Sequence, residues 1–271
     1  MNLIEALILG IVQGLTEFLP VSSSGHLELI KAIFGNDYEK NQGLMLTLCL
    51  HAATAFSTIY VFRKDIGTIL SDLINSKTGA GKAFSVKIII SMIPAVFIGL
   101  FFEDFIAALF DGNIALVGSL LLVTAILLFF ADKVRESRND LSYLHALYIG
   151  IIQAIAILPG ISRSGATISL AVLLKIERDK AARFSFLMVV PLILGTMAKS
   201  IIDGDLTQDT ASFFPLLVGF IGAFITGVFA CKWMIALVKK KQAEIFQFVL
   251  HYSGYVCPIN EYLIWTCRWI L

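Results

Sequence analysis

One polar segment in this otherwise apolar chain holds residue types that could carry out chemistry. Residues 13–26 contain a carboxylate, Glu17, three consecutive serines and an imidazole, His26. A hydroxyl becomes a good nucleophile when a base lies next to it, and Ser23 or Ser24 lies within one helical turn of His26. Glu17 is the acid that we expect to polarise this imidazole. The segment therefore predicts a hydroxyl nucleophile, Ser23 or Ser24, with His26 as its base, beside Glu17.

A second polar segment, residues 158–168, has a different chemistry. A glycine-flanked turn that opens a helix presents backbone N–H groups and the positive end of the helix dipole, which suits an anion. Arg163 adds a planar set of donors matched to phosphate, and Ser162, Ser164 and Thr167 add hydroxyl donors. Together with the Ser-His-Glu group, this segment predicts a phosphate pocket.

The same residues also have structural interpretations. The serines that follow Pro20 could cap a returning helix, and His26 could be a hydrogen-bonded core histidine. The small residues around Arg163 could allow close helix packing, with Arg163 neutralised by Glu17. A carboxylate at depth in a bilayer costs about 2.5–3.5 kcal/mol on insertion scales, so such acids usually line a site or find a partner. We therefore favour a functional role for Glu17, which is compatible with an ion pair to Arg163 when no substrate is bound.

The other histidines are weaker candidates. His51 lies in an apolar segment where a packed histidine is plausible, His145 lies near a loop, and His251 is in a polar tail. The four cysteines form no metal-type cluster in the sequence.

The two polar segments correspond to each other under a shift of 140 positions, without a gap. The sequence Gly-Ile-Val-Gln at residues 10–13 matches Gly-Ile-Ile-Gln at residues 150–153, and Ser-Ser-Ser-Gly at residues 22–25 matches Ser-Arg-Ser-Gly at residues 162–165. Two polar, Gly- and Pro-broken segments at corresponding positions are typical of an inverted-repeat membrane protein with its site near the midplane of the bilayer.

Composition supports a membrane protein. Of 271 residues, 58% are hydrophobic and only 15% are charged, which predicts an all-α polytopic membrane protein rather than a soluble domain. The alternating pattern of a transmembrane barrel is absent. A net charge of +1 without a concentrated basic face excludes a nucleic-acid partner. The N-terminus has neither a basic region nor a cleavage site, so we expect it to belong to the mature fold.

The apolar segments predict about six transmembrane helices and two re-entrant helix-loop-helix segments. The re-entrant segments, residues 3–33 and 144–174, are broken at Pro20 and Pro159, where helices must end or kink. The last span is the weakest because several polar residues interrupt it. The predicted spans are residues 44–62, 88–102, 114–131, 184–202, 213–238 and 245–271.

Loop charges predict the orientation. Lys and Arg mark cytoplasmic loops, which places residues 63–87, 133–138, 175–183 and 239–241 inside. With this assignment, successive loops alternate between the two sides of the membrane without conflict. The two broken segments then enter the membrane from opposite sides. We expect one membrane domain over residues 1–271, with repeats at about 1–131 and 144–271.

The two motifs together resemble the undecaprenyl-diphosphate phosphatase family, also called bacitracin-resistance proteins. The resemblance rests on QGLTEFLPVSSSGH at residues 13–26 and LPGISRSGATI at residues 158–168. Supporting matches are Ile93-Pro94-Ala95 and FSFL at residues 184–187 with Pro191. The resemblance covers the chain from the N-terminus to about residue 241.

This resemblance implies an enzyme of the bacterial cytoplasmic membrane that hydrolyses undecaprenyl diphosphate to undecaprenyl phosphate and phosphate. Such an enzyme recycles the lipid carrier for peptidoglycan synthesis, confers bacitracin resistance, opens to the extracytoplasmic side, and requires Mg²⁺ or Ca²⁺. Many members carry Glu at the position of Gln13, which leaves Glu17 as the main metal ligand. The implied catalytic residues are Glu17, Ser23, His26 and Arg163, and the expected substrate contacts are Gln13, Ser22, Ser24, Ser162, Ser164 and Thr167.

Two questions stay open at this point. His26 could activate water directly or act as the nucleophile, in place of a serine route through Ser23. A polyprenyl-phosphate flippase fits the inverted repeat equally well, although transport alone does not need a nucleophile beside a base. The expected partners of the chain are undecaprenyl diphosphate, the lipid bilayer and a second copy of the chain in a homodimer.

Overall fold

The computed structural model describes residues 2–34, 40–75, 79–102, 105–106, 109, 114–135, 139–203 and 213–239. Within these residues the chain is helical, and the only strand-type pairing is an isolated bridge between Asn139 and Ile176. The helices, numbered here in chain order, are α1 Leu3–Phe18, α2 Ser23–Phe34, α3 Lys40–Val61, α4 Arg63–Asn75, α5 Ala80–Phe101, α6 Ile114–Asp132, α7 Tyr143–Ile155, α8 Arg163–Leu173, α9 Arg178–Ile202 and α10 Phe213–Lys239.

Several of these helices are apolar and long. Among the described residues, α5, α9 and α10 each satisfy the length and hydropathy needed to cross a bilayer. Residues of α3 and α4 form a bent pair, with 76° between their axes, that would add a fourth crossing. The prediction of a polytopic helical membrane protein is therefore confirmed. The count of six spans stays a prediction, and the span expected at residues 245–271 lies outside the described part of the chain.

Three predicted boundaries were wrong. α3 begins at Lys40, four residues before the predicted start of its span. Residues 63–87 were expected to form a loop, but α4 occupies most of the first half and α5 already begins at Ala80. α4 is amphipathic, and its apolar side packs Ile66 and Ile69 against the core while Lys64 stays exposed. A helix with one polar face has low mean hydropathy, so a search for apolar segments misses it. Similarly, α9 begins at Arg178, six residues before the predicted start of that span.

The first helix break follows from the local sequence. Leu19 precedes a proline, which disfavours the helical conformation, and Leu19 is extended with φ −72° and ψ 145°. α1 therefore ends at Phe18. Ser22 then adopts a left-handed conformation, φ 66°, and α2 begins at the next residue. Left-handed serines are uncommon and are often found at functional sites.

The second break has the same layout. α7 ends at Ile155, Gly160 takes a φ of 101° that favours glycine, and α8 begins at Arg163. The starts of α1 and α7 are 140 residues apart (143 − 3), as are those of α2 and α8 (163 − 23). The sequence shift is therefore reproduced in the positions of the helix starts.

Each broken segment packs against a long helix from the other predicted repeat. α1 lies along α10, and α7 lies along α5. Glycines allow this approach, since a Cβ atom at Gly14 would lie 2.5 Å from the Ala223 carbonyl oxygen and one at Gly150 would lie 2.5 Å from that of Ser91. The core between them includes Phe18, whose ring lies 5.6 Å from that of Phe186. This packing fixes both breaks in the protein interior.

Candidate active site

The two helix breaks meet at a cavity of about 370 Å³. Its walls come from both broken segments and from α3 and α9. The polar lining residues are Thr16, Glu17, Ser23, Ser24, Thr47, His51, Ser162, Arg163 and Thr196. The apolar lining residues are Leu27, Ala156, Ile157, Ile161, Val189, Leu192 and Ile193. One wall can therefore hold a charged group while the other contacts hydrocarbon.

Glu17 is the centre of the polar wall. Its side chain is only 5% exposed and forms an ion pair in which Arg163 Nη2 donates to Oε1. The other carboxylate oxygen, Oε2, accepts hydrogen bonds from Gln13 Nε2 at 2.9 Å and from Ser23 Oγ at 2.8 Å. These contacts confirm the predicted pairing of Glu17 with Arg163 across the two halves. They satisfy the buried charge that would otherwise be costly at this depth.

Arg163 is the first residue of α8, directly after the N-cap Ser162. Its Nη2 donates to Glu17. Its other terminal nitrogen, Nη1, is buried and has no hydrogen-bond partner among the described residues. An unpartnered buried donor is rare in proteins and indicates a ligand position. Arg163 therefore lines the cavity at the start of α8 and carries one buried donor without a partner among the described residues.

The N-terminus of α8 is held by hydroxyl groups. Ser162 Oγ accepts from the Gly165 N–H at 3.2 Å, and the Ser162 N–H donates to Thr124 Oγ1 at 3.0 Å. A capping side chain satisfies helix donors that would otherwise lack partners. Ser162 thus lines the cavity and also fixes the start of the helix that carries Arg163.

Four expected substrate contacts do not line the cavity: Gln13, which is fully buried and donates to Glu17, and three hydroxyl residues. Ser22, Ser164 and Thr167 are buried and are not among the residues that line the cavity. Ser164 Oγ donates to the Leu19 carbonyl at 3.2 Å, which joins the two breaks, and Thr167 Oγ1 lies 2.6 Å from Ser185 Oγ. Ser22 Oγ accepts from the Gly25 N–H at 3.4 Å. The structure favours the packing and capping interpretation for all three, because their hydroxyls are used inside the protein.

The histidines are arranged differently from the prediction. Ser23 donates its hydroxyl proton to Glu17 rather than to His26. His26 Nδ1 lies 2.8 Å from the Ser22 carbonyl, and His26 is not among the cavity-lining residues. The imidazole closest to Glu17 in the described residues is instead that of His51, with 3.9 Å between Nε2 and Oε2. The structure therefore does not show the expected Ser23–His26–Glu17 order, and a catalytic role of His26 stays a prediction.

Comparison with known proteins gives the family. The sequence profile of the bacitracin resistance protein BacA family matches residues 6–256. The chain belongs to the BacA family. The match continues past residue 241, so the expectation that the resemblance ends near that residue was wrong.

Curated relatives from several bacteria carry one name, undecaprenyl-diphosphatase. The chain is 53% identical to that of Christiangramia forsetii over 262 residues, which is 97% of this chain and 99% of the relative. It is 44% identical to that of Parabacteroides distasonis over 260 residues, 94% of this chain and 97% of the relative. It is 37% identical to that of Carboxydothermus hydrogenoformans, again over 260 residues, 94% and 95% of the two chains.

Sequence reasoning missed two residues at this BacA-family site. His51 was considered a packed histidine, although an ionisable residue alone in an apolar helix is a functional candidate by default. Thr124, in the middle of α6, carried no signal, because a threonine that bonds a distant backbone N–H looks like any other small residue. The positions of His51 and Thr124 at the site follow only from the packing of α3 and α6 beside the two helix breaks.

A hard cation at this site would need oxygen ligands from the protein. Within the described residues no three side chains of His, Cys, Asp or Glu converge on one point. Gln13 Oε1, however, is buried without a partner, next to the Glu17 carboxylate that Gln13 Nε2 contacts. Mg²⁺ commonly takes one or two protein oxygens and completes its shell with phosphate oxygens and water. Glu17 and Gln13 are the residues that can supply such oxygens here.

Proposed function

We propose that this chain is a membrane undecaprenyl-diphosphatase, which hydrolyses undecaprenyl diphosphate to undecaprenyl phosphate and inorganic phosphate. The curated relatives carry this name over nearly the whole chain. The observation that carries the proposal is the cavity in which Ser23 donates to Glu17 Oε2 while Arg163 contacts Oε1. Recycling of the lipid carrier for peptidoglycan, and resistance to bacitracin, follow from this activity.

The cavity suits both ends of this substrate. The terminal phosphate would lie at the free Nη1 donor of Arg163, with Ser24 and Ser162 as further donors. The first isoprene units would contact Val189 and the neighbouring apolar residues of α9. The rest of the long tail would lie in the bilayer, so a pocket sized for the whole substrate is unnecessary.

Ser23 is the nucleophile in this proposal. Its oxygen attacks the terminal phosphorus and its proton passes to Glu17 Oε2. The proton then moves to the bridging oxygen as the bond from phosphorus to that oxygen breaks, which releases undecaprenyl phosphate and restores the Glu17 carboxylate. Arg163 stabilises the charge on the transferring phosphoryl group, which is where most catalysis of phosphoryl transfer arises. Water then hydrolyses the phosphoserine. His26 stays a candidate for a second base. Its Nδ1 donates to the Ser22 carbonyl oxygen, so in the neutral ring Nε2 is an acceptor.

A divalent cation, Mg²⁺ or Ca²⁺, belongs to the proposal, with Glu17 and Gln13 Oε1 as its protein ligands. When bound with the diphosphate it would neutralise phosphate charge. Gln13 also orients the Glu17 carboxylate through its Nε2 donor. Glutamine at this position gives the site one negative charge fewer than glutamate would.

We extend the proposal to topology. The basic segments at residues 63–87, 133–138, 175–183 and 239–241 support cytoplasmic placement of those regions. In this proposal the chain lies in the cytoplasmic membrane as an inverted repeat of about six spans with two re-entrant segments, and its cavity faces the extracytoplasmic side. A homodimer completes the proposed arrangement. The flippase alternative has no comparable support, since the relatives are named for the phosphatase activity.

The experiment is phosphate release from undecaprenyl diphosphate by purified protein in detergent. Wild-type protein is compared with Glu17→Ala and Arg163→Ala, each with and without a chelator, and size-exclusion chromatography checks that every variant is folded. We expect release that needs the cation and both side chains. Folded wild-type protein that releases no phosphate in the presence of Mg²⁺ or Ca²⁺ would refute the proposed function.

A further inference from the structure

His51 is the ionisable residue lining the cavity that has no role in the proposed chemistry. Its Nδ1 lies 2.8 Å from the Thr47 carbonyl oxygen, one turn earlier on α3. A carbonyl oxygen only accepts hydrogen bonds, so Nδ1 is the donor to Thr47, and in the neutral form of the ring Nε2 is an acceptor. The ring is 29% exposed and lines the cavity. His51 therefore presents a proton acceptor beside the reacting groups.

The distance between His51 and Glu17 allows one water molecule, to one side of the line that joins the two side chains, to bridge them. Nε2 and Glu17 Oε2 are both acceptors, and they lie 3.9 Å apart. Two acceptors at this distance have no hydrogen bond to each other, but a water molecule can donate one hydrogen to each over about 2.8 Å. Glu17 Oε2 also accepts from Ser23 Oγ. A water held by these two acceptors would lie next to the nucleophilic oxygen.

We propose that His51 is a positioning residue that holds, together with Glu17, the water that hydrolyses the phosphoserine. This rests on the proposed function, in which Ser23 carries the phosphoryl group. The water oxygen forms the new bond to phosphorus and the bond from phosphorus to Ser23 Oγ breaks. One water proton passes to Glu17 Oε2 and then to Oγ, which restores the serine and releases phosphate. His51 Nε2 accepts the other hydrogen and sets the direction of attack.

This role acts on the second step only, which gives a kinetic signature. Loss of His51 slows hydrolysis of the phosphoserine and leaves its formation intact. In a two-step reaction kcat/KM reports the steps up to phosphoenzyme formation, whereas kcat reports the slower hydrolysis. Misplacement of a reacting group costs on the order of 100-fold. His51→Leu should lower kcat by about this factor and lower KM with it, while kcat/KM changes little.

The test uses undecaprenyl diphosphate labelled with ³²P in the terminal phosphate. Full-length wild-type protein, His51→Leu, His51→Gln and Ser23→Ala are mixed with the labelled substrate and quenched with acid. His145→Gln is the matched control, because His145 caps the start of α7 through Ser142 and lies outside the cavity. We expect labelled protein to accumulate in His51→Leu, and less in His51→Gln, whose side-chain oxygen can also accept a hydrogen bond. Ser23→Ala should carry no label.

Two results would overturn the proposal. If kcat and kcat/KM of folded His51→Leu fall equally without accumulation of label, or if kcat is unchanged, His51 does not hold the hydrolytic water. If Ser23→Ala keeps its turnover and no variant is labelled, the serine route is absent and the role of His51 is refuted with it. Phosphate release by the wild-type protein in the same assay would show that the phosphatase function itself stands.

Discussion

The two broken segments share a backbone layout but not a chemistry. Under the 140-residue shift Gln13 corresponds to Gln153, but Glu17 corresponds to Ile157 and Ser23 corresponds to Arg163. The first segment carries the acid and the nucleophile, and the second carries the cation. Because both breaks meet at one cavity, the protein builds one active site from two halves rather than two sites.

The two glutamines show the consequence of this division. Gln13 Nε2 contacts Glu17, whereas both amide atoms of Gln153 are buried without a partner in the described part of the chain. Ile157 occupies the position that corresponds to Glu17, so Gln153 has no carboxylate there to contact. Only the first half therefore pairs its glutamine with a carboxylate, because the partner position in the second half is apolar.

The largest expected effect is at Arg163, whose counterpart in the first half, Ser23, is uncharged. Arg163→Lys keeps the charge and a contact to Glu17 but removes the second edge of the guanidinium. An arginine that stabilises a transferring phosphoryl group contributes roughly 10³- to 10⁵-fold to kcat, and lysine cannot reproduce its planar geometry. We expect kcat to fall by about 10³-fold in the phosphate-release assay. A loss below about 10-fold would show that a point charge is sufficient and that Nη1 is not a phosphate donor.

The glutamine pair gives the next largest effect and tests the comparison directly. Gln13→Leu should lower kcat about 10- to 100-fold, the usual cost of losing a group that orients a site residue. Gln153→Leu should leave kcat unchanged. It should also raise the free energy of unfolding by about 1 kcal/mol, because an unsatisfied buried amide is replaced by an apolar side chain. Thermal unfolding in detergent measures the second effect, and equal losses of activity in both variants would contradict the division of roles.

A third prediction separates hydroxyls that line the cavity from those used in packing. Thr167→Val removes the 2.6 Å contact to Ser185 and should destabilise the protein by about 1–3 kcal/mol without changing KM. Ser24→Ala, at the cavity, should raise KM severalfold without a comparable loss of stability. Titration of activity against substrate, together with thermal unfolding of both variants, distinguishes the two roles. A raised KM in Thr167→Val would restore Thr167 as a substrate contact.

The smallest expected effect lies at the surface, far from the cavity. Lys180 Nζ lies 2.6 Å from Asp140 Oδ1, and this hydrogen bond lowers the pKa of Asp140. A carboxyl with a lowered pKa in the folded state stabilises the protein above its unfolded pKa, about 4, and loses that contribution as the pH falls through the folded value. The difference in melting temperature between wild type and Asp140→Asn should be small and constant above about pH 5 and should vanish at lower pH. A difference that grows on acidification would contradict this sign.

The sequence predicted the features that depend on local chemistry. The first break next to Pro20, the matching break in the second half, and the α10 span starting at Phe213 all follow from proline geometry and apolar length. The Glu17–Arg163 pair was also accessible, because two opposite charges in apolar segments need each other.

Features that depend on packing between distant segments could not be predicted. The proximity of His51 to Glu17 requires α3 to pass beside the first break, which no local pattern encodes. Likewise Ser164 and Thr167 have the residue types of phosphate ligands, and only the neighbouring Leu19 carbonyl and Ser185 hydroxyl show how they are used. Hydropathy failed at α4 because its apolar residues occupy one face only.

The central claim is that Glu17 from one half and Arg163 from the other act as one unit. A double-mutant cycle on kcat/KM tests it most directly, with Glu17→Ala, Arg163→Ala and the double variant measured beside wild type in the phosphate-release assay. If the two side chains serve one site, the double variant should be no more than about 10-fold less active than the worse single variant, because residues acting as a unit are strongly non-additive. Losses that multiply in the double variant would show two independent contributions and would contradict a shared site.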